Sequence, residues 1–190
     1  MGAGHKRLFI AAPIDSRLRR LLVQAQRGID AQGIRVRWTQ EDQFHLTLKF
    51  LGETPDERIP DVARAIAAVA RRHKPLHIRV GGGGCFPPDG AARVLWIGGA
   101  DPDGTCAVVV QELEESLGPL GFPPENRTFS IHFTLGRVNW DSSRGKLRAQ
   151  LAALAPFDHA LAVNELVLYE SRMSPRGSTY DILSREPLDG

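Results

Sequence analysis

The chain has 190 residues, 24 Lys and Arg against 22 Asp and Glu, and a net charge of +2. That is enough chain for one full core or two small lobes sharing an interface, and too little charge for electrostatically driven duplex binding. Two cysteines make no disulfide framework and no apolar run spans a bilayer, so the reading is a soluble, cytoplasmic protein without a signal peptide. Met1-Gly2 opens like a myristoylation signal, but Lys6 stands where that signal wants Ser or Thr.

Leu8–Ala12 reads as a first strand ended by Pro13. Asp15 then caps a helix carried to about Gln32 by Leu18, Leu21, Leu22 and Ala25. Ile34–Trp38 is a short strand, Gln40–Gln43 a polar turn, and Phe44–Leu51 a strong strand. Thr54-Pro55-Asp56-Glu57 has the form of a capping box and predicts a helix to about Arg72. Leu76–Val80 and Arg93–Ile97 are strands around a glycine-rich segment, Gly81 to Pro88, read as a flexible loop. A helix follows over Thr105–Leu117, then a Pro/Gly-crowded stretch from Gly118 to Pro124. Phe129–Leu135 is a strand, Ser142–Leu154 a helix, and Ala160–Tyr169 and Thr179–Leu183 the last strands. This alternation predicts an α+β or α/β fold.

Two tetrapeptides of one design stand out: His45-Leu46-Thr47-Leu48 and His132-Phe133-Thr134-Leu135. Composition alone would produce His-x-Thr-Leu only about 0.02 times in such a chain. Each lies on a predicted strand, one per half, which predicts two similar lobes. Alternation puts His45 with Thr47 on one face and His132 with Thr134 on one face, with the leucines and Phe133 turned into the core. Lys49 and Gly136 should continue the polar faces. Two opposed imidazoles suit in-line substitution at phosphorus, where base and acid stand at opposite apices and hydroxyls hold the non-bridging oxygens. A strained cyclic phosphate needs no metal in this scheme, so neither a metal site nor a cofactor is expected.

The stretch from Trp38 through Phe44-His45-Leu46-Thr47-Leu48-Lys49-Phe50-Leu51-Gly52-Glu53 resembles the first signature of the bacterial and archaeal RNA 2′,3′-cyclic phosphodiesterases. These are also called 2′-5′ RNA ligases and belong to the two-histidine phosphoesterase superfamily. Phe129-Ser130-Ile131-His132-Phe133-Thr134-Leu135-Gly136-Arg137 resembles the second signature. Lys6–Ala11 resembles the opening strand and Leu168–Pro175 the late strand, so the likeness covers nearly the whole chain. It implies a bilobal α+β fold, a single domain over residues 1–190, with a V-shaped cleft between two antiparallel sheets. It implies that His45 protonates the leaving oxygen, that His132 activates water, and that Thr47, Thr134 and Arg137 hold the phosphate. The substrates would be RNA ends or nucleotides bearing a 2′,3′-cyclic phosphate, and the protein a monomer without membrane partners. ATP-independent 2′-5′ joining would use the same site, and a non-catalytic nucleotide- or RNA-binding module is the alternative. The chain departs from the family at Ile131, where Pro is usual. Simple alternation also points Arg137 away from His132, so it reaches the phosphate only if the strand bulges or ends near Gly136.

Phe9 and Trp38 are candidates for stacking on a nucleobase as well as for core packing. Arg35, Arg37, Lys49, Arg127, Arg172 and Arg176 could line a groove for an RNA backbone. His73 and His77 have metal-ligand spacing, but Pro75 separates them, so two unrelated surface residues are expected. Cys85 and Cys106 read as small buried or loop residues, and His5 and His159 are given no role.

Overall fold

A computed structural model describes residues 4–30, 32–174 and 177–190, with nothing described of the Ser174 side chain; Met1-Gly2 and Arg176 lie outside these residues. Among the described residues, nine strands form two antiparallel sheets. The strands are β1 (His5–Pro13), β2 (Ile34–Trp38), β3 (His45–Pro55), β4 (Leu76–Phe86), β5 (Val94–Ala100), β6 (His132–Asp141), β7 (Ala160–Val163), β8 (Glu165–Ser174) and β9 (Gly177–Pro187). One sheet has the order β3-β1-β8-β9 and the other β2-β6-β5-β4-β7. Helices α1 (Ser16–Gly28), α2 (Ile59–Ala70), α3 (Thr105–Leu117) and α4 (Lys146–Ala152) complete the α+β fold.

The lobes are not the two halves of the chain. β2 from the first half is an outer strand of the five-stranded sheet, and β8 and β9 return to the four-stranded one. Helices are exchanged too: α1 packs on β6, while α3 packs on α2 and β3. The single strand expected over Ala160–Tyr169 is therefore broken at Asn164. β7 pairs with β4 in one sheet and β8 with β1 in the other.

Local chemistry sets the element ends. Asp15 caps α1 by accepting the Leu18 N–H at 2.8 Å. The helix stops at Gly28, short of Gln32, because Ile29 turns extended and is buried in the core. Thr54 is no helix cap. It sits buried in β3, opposite Lys6 of β1, with its hydroxyl donating to the Gly52 carbonyl at 3.2 Å, and α2 starts only after a 3-10 turn at Asp56–Arg58. β6 begins at His132 and α4 spans only Lys146–Ala152, with Ser143 Oγ accepting the Leu147 N–H.

The four-glycine run is not a loop but the second half of β4. A Cβ on Gly84 would fall 2.4 Å from the Trp96 ring, and one on Gly83 2.6 Å from the Leu151 carbonyl. Glycine is required there because an indole lies across one strand face and α4 abuts the other.

Candidate active site

Both motif strands carry the same irregularity, and it places the site. On β3 the register against β1 skips Leu48, from Ile10↔Lys49 to Ala11↔Thr47. On β6 the register against β5 skips Leu135, from Leu95↔Gly136 to Trp96↔Thr134. A bulge of one residue reverses which face the next side chain takes. Leu48 and Lys49 are consequently both buried, as are Leu135 and Gly136, and the residue five past each histidine returns to the histidine's face. Those residues are Phe50 and Arg137. The bulge at Leu135 is held from behind, since its carbonyl accepts the Thr39 N–H at 2.9 Å and the Gln26 side-chain amide at 2.8 Å.

This corrects two expectations. Lys49 does not continue the polar face: it is 1% exposed and its ammonium bonds to Glu114 of α3 and, at 3.0 Å, to the Pro123 carbonyl. Gly136 is packed under β2, where a Cβ would meet Val36 at 2.7 Å and the Arg37 carbonyl at 2.9 Å. Arg137, by contrast, does reach the cleft.

The cleft between the sheets has a volume of about 530 Å³, and His45, Thr47, His132, Thr134 and Arg137 all line it. Each histidine is fixed the same way. Nδ1 of His45 donates to the Gln43 carbonyl at 2.8 Å, and Nδ1 of His132 to the Ser130 carbonyl at 2.9 Å. A carbonyl can only accept, so Nδ1 carries the proton and Nε2 is left for chemistry in both rings. Each ring is also braced edge-on by an aromatic at 5.2 Å and an interplanar angle of 89°: Tyr180 against His45 and Phe86 against His132. Gln43 in turn donates to the Ser178 carbonyl, tying the His45 support to β9.

The two imidazoles differ in surroundings. His45 packs on Phe9 at 4.9 Å, and burial pushes its pKa down to about 4, against a raising effect of the Gln43 carbonyl and with a further lowering by His132. It is neutral at pH 7 in the free protein. Phe9 itself is buried, stacked on Tyr169 at 5.1 Å, so it supports His45 from below; Trp38 is half-buried in the cleft wall.

Among the described residues, no protein group hydrogen-bonds the Thr47 or Thr134 hydroxyl, and Arg7, Arg37 and Arg137, all lining the cleft, make no ion pair. Arg172 is engaged elsewhere, with Glu170 at 2.9 Å and Asp181 at 3.0 Å, and neither Arg35 nor Arg127 lines the cleft. Sequence reasoning missed Arg7, Phe50, Phe86 and Tyr180. Phe50 could have been found from the equal spacing of the two motifs. Phe86 and Tyr180 carry no local signal, because distant pairings bring them to the site.

The remaining histidines and cysteines lie apart. His73 meets Glu112 at 3.1 Å and His77 lies on β4 opposite Ala162, so they form no pair. His159, unassigned from sequence, bonds Asp15 at 2.8 Å. Cys85 and Cys106 are both buried, and burial pushes the Cys106 thiol up to about 12. No described helix is long and apolar enough to cross a membrane.

With two His-x-Thr strands facing one cleft between antiparallel sheets, the molecule has the architecture of a two-histidine phosphoesterase. The chain belongs to the LigT like Phosphoesterase family, whose model matches residues 12–96 and 100–180. It is 31% identical to a Thermus thermophilus protein named RNA 2′,3′-cyclic phosphodiesterase, across 97% of this chain and 91% of that one. A Methanocaldococcus jannaschii protein of the same name is 27% identical, across 93% of this chain and 98% of that one. A solved Thermus thermophilus structure superposes with a TM-score of 0.84 at 28% identity, covering 97% and 98% of the two chains. Escherichia coli LigT, solved with 3′-AMP, shares the fold with a TM-score of 0.78 at 24% identity, covering 98% of this chain and 100% of that one. In the family signature's usual Pro position, Ile131 rests over Gly99, where a Cβ would lie 2.7 Å from its methyl.

Proposed function

We propose that this phosphoesterase opens RNA 2′,3′-cyclic phosphate ends to 2′-phosphates, with His45 as general acid and His132 as general base. The observation that carries the reading is the matched fixation of two imidazoles on one cleft: each is pinned through Nδ1 to the carbonyl two residues before it, which leaves both Nε2 atoms for the reacting oxygens. The names of the relatives supply the substrate class.

The phosphorus sits between the two rings. His132 Nε2 takes a proton from water as its oxygen attacks phosphorus, and His45 Nε2–H gives a proton to O3′ as the P–O3′ bond breaks. O2′ stays attached, so the product is a 2′-phosphate. The Thr47 and Thr134 hydroxyls and the Arg137 guanidinium hold the non-bridging oxygens, where charge accumulates. Burial keeps His45 neutral in the free protein, so the anionic substrate itself supports the proton that His45 must donate. An RNA hydroxyl in the place of water gives ATP-independent 2′-5′ joining by the same steps.

Phosphorus NMR of the product from a 2′,3′-cyclic nucleotide tests the assignment. A 2′-phosphate is expected, lost in His45→Ala and His132→Ala. A predominant 3′-phosphate would overturn the geometry even if both histidines proved essential.

A further inference from the structure

The sheet face that carries Arg137 does not end at the cleft. β2 is the outer strand of its sheet and follows β6 outward, in the register Arg37↔Arg137, Val36↔Val138, Arg35↔Trp140 and Ile34↔Asp141. Asn139 is passed over, which makes a further one-residue bulge on β6. Without it Trp140 would share the face of Val138; with it the indole takes the opposite face. Val36 and Val138 pack on the core and Ile34 is buried in it. The other face therefore receives Arg37 with Arg137, then Arg35 with Trp140. All four side chains are exposed, the indole to 54%.

This ribbon gathers cations without compensating them. Arg37 and Arg137 stand directly opposite each other, an arrangement that destabilises a sheet. Among the described residues, Arg35, Arg37 and Arg137 have no ion-pair or hydrogen-bond partner, and no Asp or Glu lines the cleft they lead into. Arg7 on the facing sheet differs, because its cross-strand neighbour is Glu53. The pair is aimed at the reacting centre: burial raises the pKa of Tyr180, which braces His45, and Arg137, a Ser178 hydrogen bond and Arg37 each pull it back. Trp140 contacts no other ring among the described residues. Arg35 and Arg37 lie two residues apart on one strand, about 6.6 Å, so successive guanidiniums can meet successive charges of an extended backbone. Regular positive charge with an open aromatic face suits a single nucleic-acid strand, whose phosphates pair with arginine and whose bases stack.

We infer that this ribbon is a track for the single-stranded RNA upstream of the reacting end. With the cyclic phosphate in the cleft, Arg37 and Arg35 hold the two preceding phosphates and Trp140 stacks a base. The inference rests on the reading of the cleft as the site of an RNA cyclic phosphate end. It makes the protein select polynucleotides over mononucleotides, and unpaired ends over paired ones, since a paired base cannot leave its stack for the indole.

The test uses the full chain and compares a 2′,3′-cyclic mononucleotide with a trinucleotide ending in the same cyclic phosphate. The wild type should favour the trinucleotide in kcat/KM by about tenfold or more. Trp140→Ala, at an exposed position outside the cleft, should remove most of that preference by acting on the trinucleotide alone. A trinucleotide-to-mononucleotide ratio unchanged in Trp140→Ala and in Arg35→Gln would overturn the inference. Binding is read without turnover from a trinucleotide ending in a 2′-phosphate, which should quench tryptophan fluorescence in the wild type and much less in Trp140→Phe. Arg35→Gln should lower the slope of log affinity against log salt by about 0.7, the value of one phosphate contact on a single strand. A quench of equal size in Trp140→Phe would also overturn the inference. If neither cyclic substrate is hydrolysed but the quench depends on Trp140, the track stands and the catalytic reading falls. If the mononucleotide is hydrolysed and the trinucleotide is not preferred, the catalytic reading stands and the track falls.

Discussion

Binding an anion in the cleft should reverse the protonation of His45. Burial lowers this imidazole from 6.5 to about 4 in the free protein. At 1.36 kcal/mol for each pKa unit, protonating it costs about 3 kcal/mol more than in water. One negative charge about 4 Å from the ring contributes about 4 kcal/mol at an effective dielectric of 20, enough to offset that cost. The assay is an NMR titration of the His45 ring in the free protein and in protein saturated with sulfate, whose charge is constant over the range. The midpoint should lie near pH 4 in the free protein and at least two units higher with sulfate. A midpoint that stays near 4 in the occupied cleft would refute the assignment of His45 as the acid.

The same shift has a stability consequence. Between pH 6.5 and 4 the unfolded chain binds the His45 proton and the native chain does not, so stability should fall as pH drops through that window, by up to about 3 kcal/mol. Urea unfolding of His45→Gln should lack that loss. Glu170 acts at lower pH: hydrogen bonds from Arg172 and then Lys6 hold its carboxyl at about 2, so their stabilisation is complete above its ordinary 4.5 and disappears as pH falls through about 2. Lys49→Ala should cost about 3–5 kcal/mol in a urea melt, because it strands Glu114 against a buried site. Thr47→Val and Thr134→Val should each lower kcat by about 2–4 kcal/mol of transition-state stabilisation without changing the urea midpoint much; wild-type turnover in the double variant would make both hydroxyls structural. His45→Ala should hurt least on a cyclic substrate with an acidic leaving group, whereas His132→Ala should hurt equally on every substrate. Turnover should persist in EDTA; activity lost on chelation and restored by a divalent metal would sink the mechanism.

The paired histidines were readable because alternation is reliable over the three residues of His-x-Thr. It failed just beyond, where one extra residue in each strand sends Lys49 and Gly136 into the core and brings Phe50 and Arg137 to the cleft. Nothing local marks such a bulge, since its cause is the register of a neighbouring strand and, at Leu135, two donors from Gln26 and Thr39. The glycine run was misread for a similar reason. Turn propensity argues for a loop, but Trp96 and α4 need a strand without side chains there. The break at Asn164 was invisible because both flanking segments have equally good strand sequences, and only the topology sends them to different sheets.

The interlacing of the two sheets bears on the order in which the molecule can be made. β1 is an inner strand of its sheet, and its partner on one side, through Leu8↔Glu170, is synthesised some 160 residues later. At about 5–20 residues per second, the first strand waits about 10–30 s for that partner. During that interval β1 and β3, bearing His45, can form only a two-stranded ribbon, which is marginal in water by itself. The first lobe therefore closes after the second has acquired its central strands. A ribosome-bound chain lacking β8 and β9 should be readily cleaved by protease within residues 5–55, and that susceptibility should vanish once the C-terminus emerges.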